Sequence, residues 1–181
     1  MTKIFIYGKS EDRAISNRLL PVLFGLGGAV HICVVNVTEN SRSGVKFLIY
    51  ETDTLKSLNA SDGIFIFKSS QVDALPAIGS HNNLTCIACA DDAPSMKKLA
   101  FLQLPAIVCG TSQRDSLSIS SVNGESLSIS VQRILTALDG SDILPCELKA
   151  DFVGEFDEYP MLASAAVLLL CGAKCDDTLK L

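Results

Sequence analysis

The sequence contains only two histidines, His31 and His81, so a mechanism that needs imidazole as base or metal ligand has few candidates. Basic residues are also scarce. Fifteen Lys and Arg stand against twenty Asp and Glu, a formal charge of −5, with a pI near 4.9. Phosphate backbones repel such a surface, and no local basic stripe relieves it, which argues against nucleic acid as a partner. Charged residues make up only 19% of the chain against 48% hydrophobic, a balance that excludes disorder and demands a large core. No apolar run is long enough for a bilayer, since the longest, Met161 to Gly172, falls well short of the roughly 20 residues a spanning helix needs. The opening offers no secretory signal, because only Ile4 to Tyr7 separate Lys3 from Gly8. These absences place the chain in the cytoplasm without membrane insertion. They also leave no Ser-His-Asp set, no acid/base pair of carboxylates in a defined cleft and no zinc box, so no catalytic residue and no metal ligand is assigned.

What is present begins with length. At 181 residues the chain suits one domain with a full core, spanning 1–181. Seven cysteines without a secretory context read as reduced core residues. Cys86 and Cys89 have metal or redox spacing. In a strand, however, positions i and i+3 point to opposite faces, so the two thiols do not converge. A redox or metal protein built on them is the third-ranked functional class.

The organising stretch is Lys3 to Gly28. It reads as a buried strand (Ile4 to Tyr7), a Gly8-Lys9-Ser10 turn, and a helix with apolar positions at Ile15, Leu19, Leu20, Leu23 and Phe24. Ser10 or Asp12 can cap that helix, Pro21 predicts a kink or an early end, and Gly25, Gly27 and Gly28 close it. Strand, glycine turn and helix in that order build phosphate sites in α/β proteins, through exposed backbone N–H groups and the positive end of the helix. The full phosphate-loop pattern needs a glycine where this chain has Lys3.

Further strands are expected at Ala29–Val37, with His31 as a satisfied core or edge histidine, and at Val45–Tyr50, Gly63–Phe67, Leu84–Ala90 and Pro105–Cys109. Thr38–Gly44 reads as a polar loop. Short helices are expected from Thr52 or Asp53 to Leu58 and from Pro94 to about Phe101, with a helix or loop at Gln71–Ile78 and a turn at His81-Asn82-Asn83. Strands alternating with helices predict a mainly parallel, doubly wound sheet. Ser116–Ser120 and Ser126–Ser130 repeat the pentapeptide Ser-Leu-Ser-Ile-Ser around Asn123-Gly124, which predicts a hairpin. Arg133–Leu138 is expected to continue its second strand. Asp139-Gly140 then turns into a strand over Asp142–Ala150, giving a small antiparallel meander near residues 115–150. Glu158–Ala173 predicts a C-terminal helix stopped at Gly172, with Ala163, Ser164, Ala165 and Ala166 allowing close packing.

Three of these segments together resemble the central, ATP-binding domain of the Mur ligases, which add amino acids to peptidoglycan precursors. They are the first strand with Gly8-Lys9-Ser10 and its helix; Cys89-Ala-Asp-Asp-Ala-Pro94 with the following helix, strand and meander; and Tyr159-Pro-Met-Leu-Ala-Ser-Ala-Ala-Val167. The resemblance covers most of the chain and implies a P-loop- or Rossmann-like α/β fold, a bacterial cell-wall context, and ATP with Mg²⁺ as cofactors. It also departs from the family at chemically important points. Ile6 and Tyr7 replace the loop's first residues, and Glu11 puts a carboxylate where a phosphate would sit. Phe156, Asp157 and Pro160 replace polar groups near the nucleotide, and Lys68 is only a loose match to the family's modified lysine. The flanking precursor-binding and C-terminal domains have no counterpart in the sequence.

The residues therefore support a non-catalytic Mur-ligase-like domain with a binding or scaffolding role, its degenerate phosphate loop kept as architecture. No cofactor is assigned on the residues themselves. If a ligand binds, a small phosphorylated molecule would meet Gly8, Lys9, Ser10 and Asp91 at the carboxyl ends of the parallel strands; a protein partner is the other expectation. The competing class is a small nucleotide- or phosphate-dependent enzyme with a divergent loop. The ordinary structural roles of these residues are a solvated lysine for Lys9 and strand-end or capping carboxylates for Asp91 and Asp92.

Overall fold

A computed structural model describes residues 1–33, 37–40, 44–69, 76–79 and 83–181. Fifteen strands and three α-helices follow in chain order: β1 Thr2–Tyr7, α1 Ala14–Gly27, β2 Ala29–Cys33, β3 Val37–Asn40, β4 Phe47–Thr52, β5 Ser57–Leu58, β6 Asp62–Phe67, β7 Ala77–Ile78, β8 Asn83–Cys89, α2 Ala93–Leu102, β9 Ala106–Cys109, β10 Leu117–Asn123, β11 Ser126–Val131, β12 Leu135–Thr136, β13 Asp142–Ile143, β14 Cys146–Asp151, α3 Glu158–Leu170 and β15 Thr178–Lys180. Eleven of the strands form one sheet in the order β15-β14-β11-β10-β9-β8-β6-β1-β4-β2-β3. The run from β2 through β4, β1, β6, β8 and β9 is parallel. The fold is α/β with a mainly parallel sheet, as the alternation of strands and helices requires.

Two apolar layers cover the sheet. On one face α1 and α3 pack together over Ile4, Ile6, Ile49, Ile64, Ile66, Ile87 and Ile107. On the other, α2 contributes Leu99 to a smaller cluster with Tyr7, Phe65, Phe67, Leu84 and Cys86. Helix α3 is buried on all sides from Tyr159 to Leu170. Ala163, Ser164, Ala165 and Ala166 are within that buried stretch, where small side chains bring the helix close to its neighbours. Its end is a Schellman motif: Gly172, at φ +97°, donates to the Leu169 carbonyl at 3.0 Å and Ala173 to that of Leu168 at 3.0 Å.

The hairpin forms at the repeat, pairing Ile119 with Ile129 and Asn123 with Ser126 in antiparallel register. On β11, Leu127, Ile129 and Val131 are buried against the core while the alternating Ser128 and Ser130 are half-buried and Ser126 is exposed. The meander then adds β14 antiparallel to β11.

Several expectations change. Ala29–Val37 is not one strand, for β2 ends at Cys33 and β3 returns antiparallel beside it, covering what would be an open edge. Residues 53–58 do not form a helix. The Thr52 hydroxyl accepts the Thr54 N–H at 3.1 Å, closing a local turn instead, and Leu58 is drawn into a two-residue parallel pairing with Ile78. Arg133–Leu138 leaves the sheet, and Leu135–Thr136 pairs with Asp142–Ile143 around the expected Asp139-Gly140 turn. Pro21 lies inside α1 without ending it, its ring being turned to solvent. Cys146 and Cys175 are joined as a disulfide, which corrects the expectation that every cysteine is a reduced core residue. Residues 81 and 82 of the turn expected at 81–83, and most of the segment expected at 71–78, lie outside the described residues; Asn83 begins β8.

Candidate functional site: the loop after the first strand

Strand β1 lies between β4 and β6, and the chain reaches these two neighbours by connections on opposite sides. Such a reversal of strand order opens a crevice at the carboxyl ends of the strands. Gly8 follows β1 there, Glu51 and Thr52 end β4, and Lys68 follows β6. The loop is pinned on both sides, by Gly8 N–H to the Thr52 carbonyl at 3.2 Å and by Lys68 N–H to the Tyr7 carbonyl at 2.8 Å.

What fills the loop is the side chain of Lys68. Its ammonium donates to the Lys9 carbonyl at 2.8 Å and to the Asp12 carbonyl at 2.5 Å, and pairs with Glu51 Oε1 at 2.8 Å. Three acceptors exhaust the three donors of an ammonium group. The approach is close enough that Gly8 is required: its φ is +153°, and a Cβ there would sit 2.4 Å from Lys68 Cβ.

Glu51 is the anion of a buried cluster. Its Oε2 accepts from Arg13 Nη1 at 2.5 Å and from His31 Nε2 at 2.8 Å, while Oε1 also accepts from the Ser16 hydroxyl at 3.2 Å. The Glu51 and Lys68 side chains are each 1% exposed. Burial alone would raise the Glu51 carboxyl. The hydrogen bonds from His31 and Lys68, with the charges of Lys68 and Arg13, outweigh it and hold the group at about 2. Arg13, the N-cap residue, and Ser16 enter from the start of α1, whose first N–H, at Ala14, donates to Asp12 Oδ1 at 3.1 Å.

The N-terminus of α3 closes the crevice from above. The buried Tyr159 hydroxyl donates to the Phe67 carbonyl, one residue before Lys68. Asp157 is raised by burial and by the nearby Asp12 charge, against the pull of Arg18.

Of the residues singled out in the sequence, Gly8, Lys9 and Ser10 form the loop itself. Lys9 is exposed, and the Ser10 hydroxyl turns to Glu11 Oε2 at 3.4 Å. Asp91 is exposed at the end of β8, with β6 between that strand and β1; among the described residues no hydrogen bond or ion pair joins it to the loop. Asp92 stands at the N-cap position of α2, and its carboxylate accepts the Ser95 hydroxyl rather than a backbone N–H. Cys86 belongs to one apolar cluster and Cys89 packs against the other, so the pair does diverge across the sheet. The sequence reading missed Arg13, Glu51 and Lys68 as a unit, and took His31 as satisfied without its partner. A signal was available: Phe47–Glu51 and Gly63–Lys68 each end a buried apolar strand on a charge.

ATP with Mg²⁺ does not fit this arrangement. A phosphate cradle turns N–H groups inward, whereas here two carbonyls point inward onto a resident cation, and carboxylates surround the mouth.

No protein-family model matches the chain, and no curated protein sequence does. Among solved structures, the chain is similar to a UDP-N-acetylmuramoyl-L-alanyl-D-glutamate–2,6-diaminopimelate ligase, with a TM-score of 0.55 and 11% sequence identity over 96% of this chain. The chain spans 44% of that ligase's length. The likeness concerns the fold, and it is to a Mur ligase, the family whose motifs the sequence resembles.

Proposed function

We propose that this chain is a Mur-ligase-like domain that does not turn over nucleotide and serves as a binding or scaffolding module, in a bacterial cell-wall context. The observation that carries the reading is the seating of Lys68. An ammonium that already satisfies Lys9, Asp12 and Glu51 makes the loop an internal tie between β1, β4 and β6. Ligation driven by ATP needs phosphates, Mg²⁺ and acceptor held together, and the loop offers none of these a free place. A protein partner suits such a module better than a phosphorylated ligand at this loop. The proposal includes a cytoplasmic setting; the five cysteines outside the disulfide, Cys33, Cys86, Cys89, Cys109 and Cys171, support it.

The competing reading, a small phosphate-dependent enzyme with a divergent loop, rests on Lys9, which is exposed and has no ion pair among the described residues. Isothermal titration with ATP and Mg²⁺, on the wild type and on Lys9→Ala, separates the two. The expected result is no saturable heat from either protein. Micromolar binding by the wild type that disappears in Lys9→Ala would overturn the proposal.

A further inference from the structure

The last described segment of the chain is held at the sheet edge by a short strand pairing and a disulfide. Strand β15 pairs with β14 over three residues, Lys149 with Thr178 to Asp151 with Lys180. A strand that short at a sheet edge is marginal by itself. Leu179 is buried beneath it, and Leu181 N–H donates to the Asp151 carbonyl at 2.8 Å. Val153 N–H donates to the Leu181 carbonyl at 3.3 Å, and the Lys180–Asp151 ion pair has both partners solvated, a weak kind of contact. Against this stands the disulfide between Cys146, the first residue of β14, and Cys175, in the connection leading to β15. Both cysteines are half-buried, within reach of a small reductant. Lys180 and Leu181 also line a cavity of about 550 Å³, together with Arg18 and Pro21 of α1 and Phe156.

We propose that the Cys146–Cys175 disulfide is a redox-released clasp, whose reduction by a small dithiol frees β15 from the sheet edge and removes Lys180 and Leu181 from the lining of the cavity beside α1. The exchange is the ordinary one. A reductant thiolate attacks one sulfur, forming a mixed disulfide and expelling the other cysteine as a thiolate that takes up a proton. The second thiol of the reductant then displaces the mixed disulfide. The net products are two cysteine thiols and the oxidised, cyclic reductant. Cys171, at the end of α3 and packed against the same core as both bridge partners, does not compete at neutral pH, because burial pushes its thiol up to about 11. The proposal does not depend on the nucleotide reading.

Hydrogen exchange read by mass spectrometry, on the full chain before and after dithiothreitol, tests it. Reduction is expected to speed exchange in residues 178–181 on the order of tenfold, with β1 and β6 unchanged. Cys175→Ser is expected to show the fast exchange without reductant and no response to it. Should that variant fail to fold, the oxidised and reduced wild type still decide the matter. Unchanged exchange at 178–181 with both thiols freed would overturn the proposal. So would loosening of β1 and β6 together with β15, which would make the bridge a global staple, or free Cys146 and Cys175 in protein exposed to air.

Discussion

Lys68 Nζ stands 2.8 Å from Glu51 Oε1, with both side chains 1% exposed, and the loop after β1 is built around that contact. Removing one member of a buried pair strands the other charge, a loss of about 3–5 kcal/mol. Arg13 and His31 remain on Glu51, so the lower end applies. Lys68→Ala is expected to lower unfolding free energy by about 3 kcal/mol, measured by urea denaturation. A change below about 1 kcal/mol would show that the pair behaves like a surface contact.

The same cluster sets a pH dependence. Glu51 titrates at about 2 in the folded protein against an ordinary value of 4.5. Its folded pKa is depressed, so the unfolded chain binds the proton more readily. The stability it contributes is present in full above 4.5 and fades as pH falls toward 2. The difference amounts to about 3 kcal/mol at an order-of-magnitude level. Denaturation at a series of pH values should show wild-type stability falling across this window, and Glu51→Gln should flatten the slope. Parallel slopes for the two proteins would count against the assignment.

Gly8 carries a backbone conformation that side chains rarely adopt, and the space for a Cβ is taken by Lys68. Gly8→Ala is expected to destabilise the fold by about 1–3 kcal/mol through strain and through displacement of the lysine. If the Lys68 seat is the cause, Gly8→Ala and Lys68→Ala will not be additive. A double mutant that loses the full sum would argue for two independent effects.

The thiols should differ in reactivity. Burial pushes the Cys86 thiol up to about 12. It also raises Cys109, with smaller contributions from Cys89 and Asp115. Cys33 is only half-buried. Native-state alkylation at neutral pH, followed by peptide mapping, is expected to label Cys33 well before Cys86 or Cys109. Early labelling of Cys109 would mean that the core beneath α3 opens more readily than its packing suggests.

The parts of the fold that could be read from the sequence are those where local chemistry and global packing agree. The Ser-Leu-Ser-Ile-Ser repeat around Asn123-Gly124 specifies both register and turn. Pro94 and Gly172 mark a helix start and a helix end as the backbone requires. Residues 53–58 failed because Leu58 answers to Ile78, a partner far along the chain, which no window around Leu58 contains. The site failed for a similar reason. Gly8-Lys9-Ser10 looks like a loop waiting for an anion, and its actual occupant comes from the end of another strand, Lys68. Nothing near Gly8 signals that a lysine some sixty positions away reaches the loop, because the contact depends on β1 and β6 lying side by side.

Helix α3 has a further consequence, for synthesis. It lies against β8, β9, β10 and α1, all of which precede it in the chain. As these elements leave the ribosome, the isoleucine face of their sheet has only α1 to cover it until Glu158–Leu170 emerges. Long-range contacts of this kind are slow to form and leave sticky surface exposed meanwhile. A nascent chain stalled before Tyr159 would be a natural client for a chaperone, and the arrival of the final helix is what lets the domain leave it.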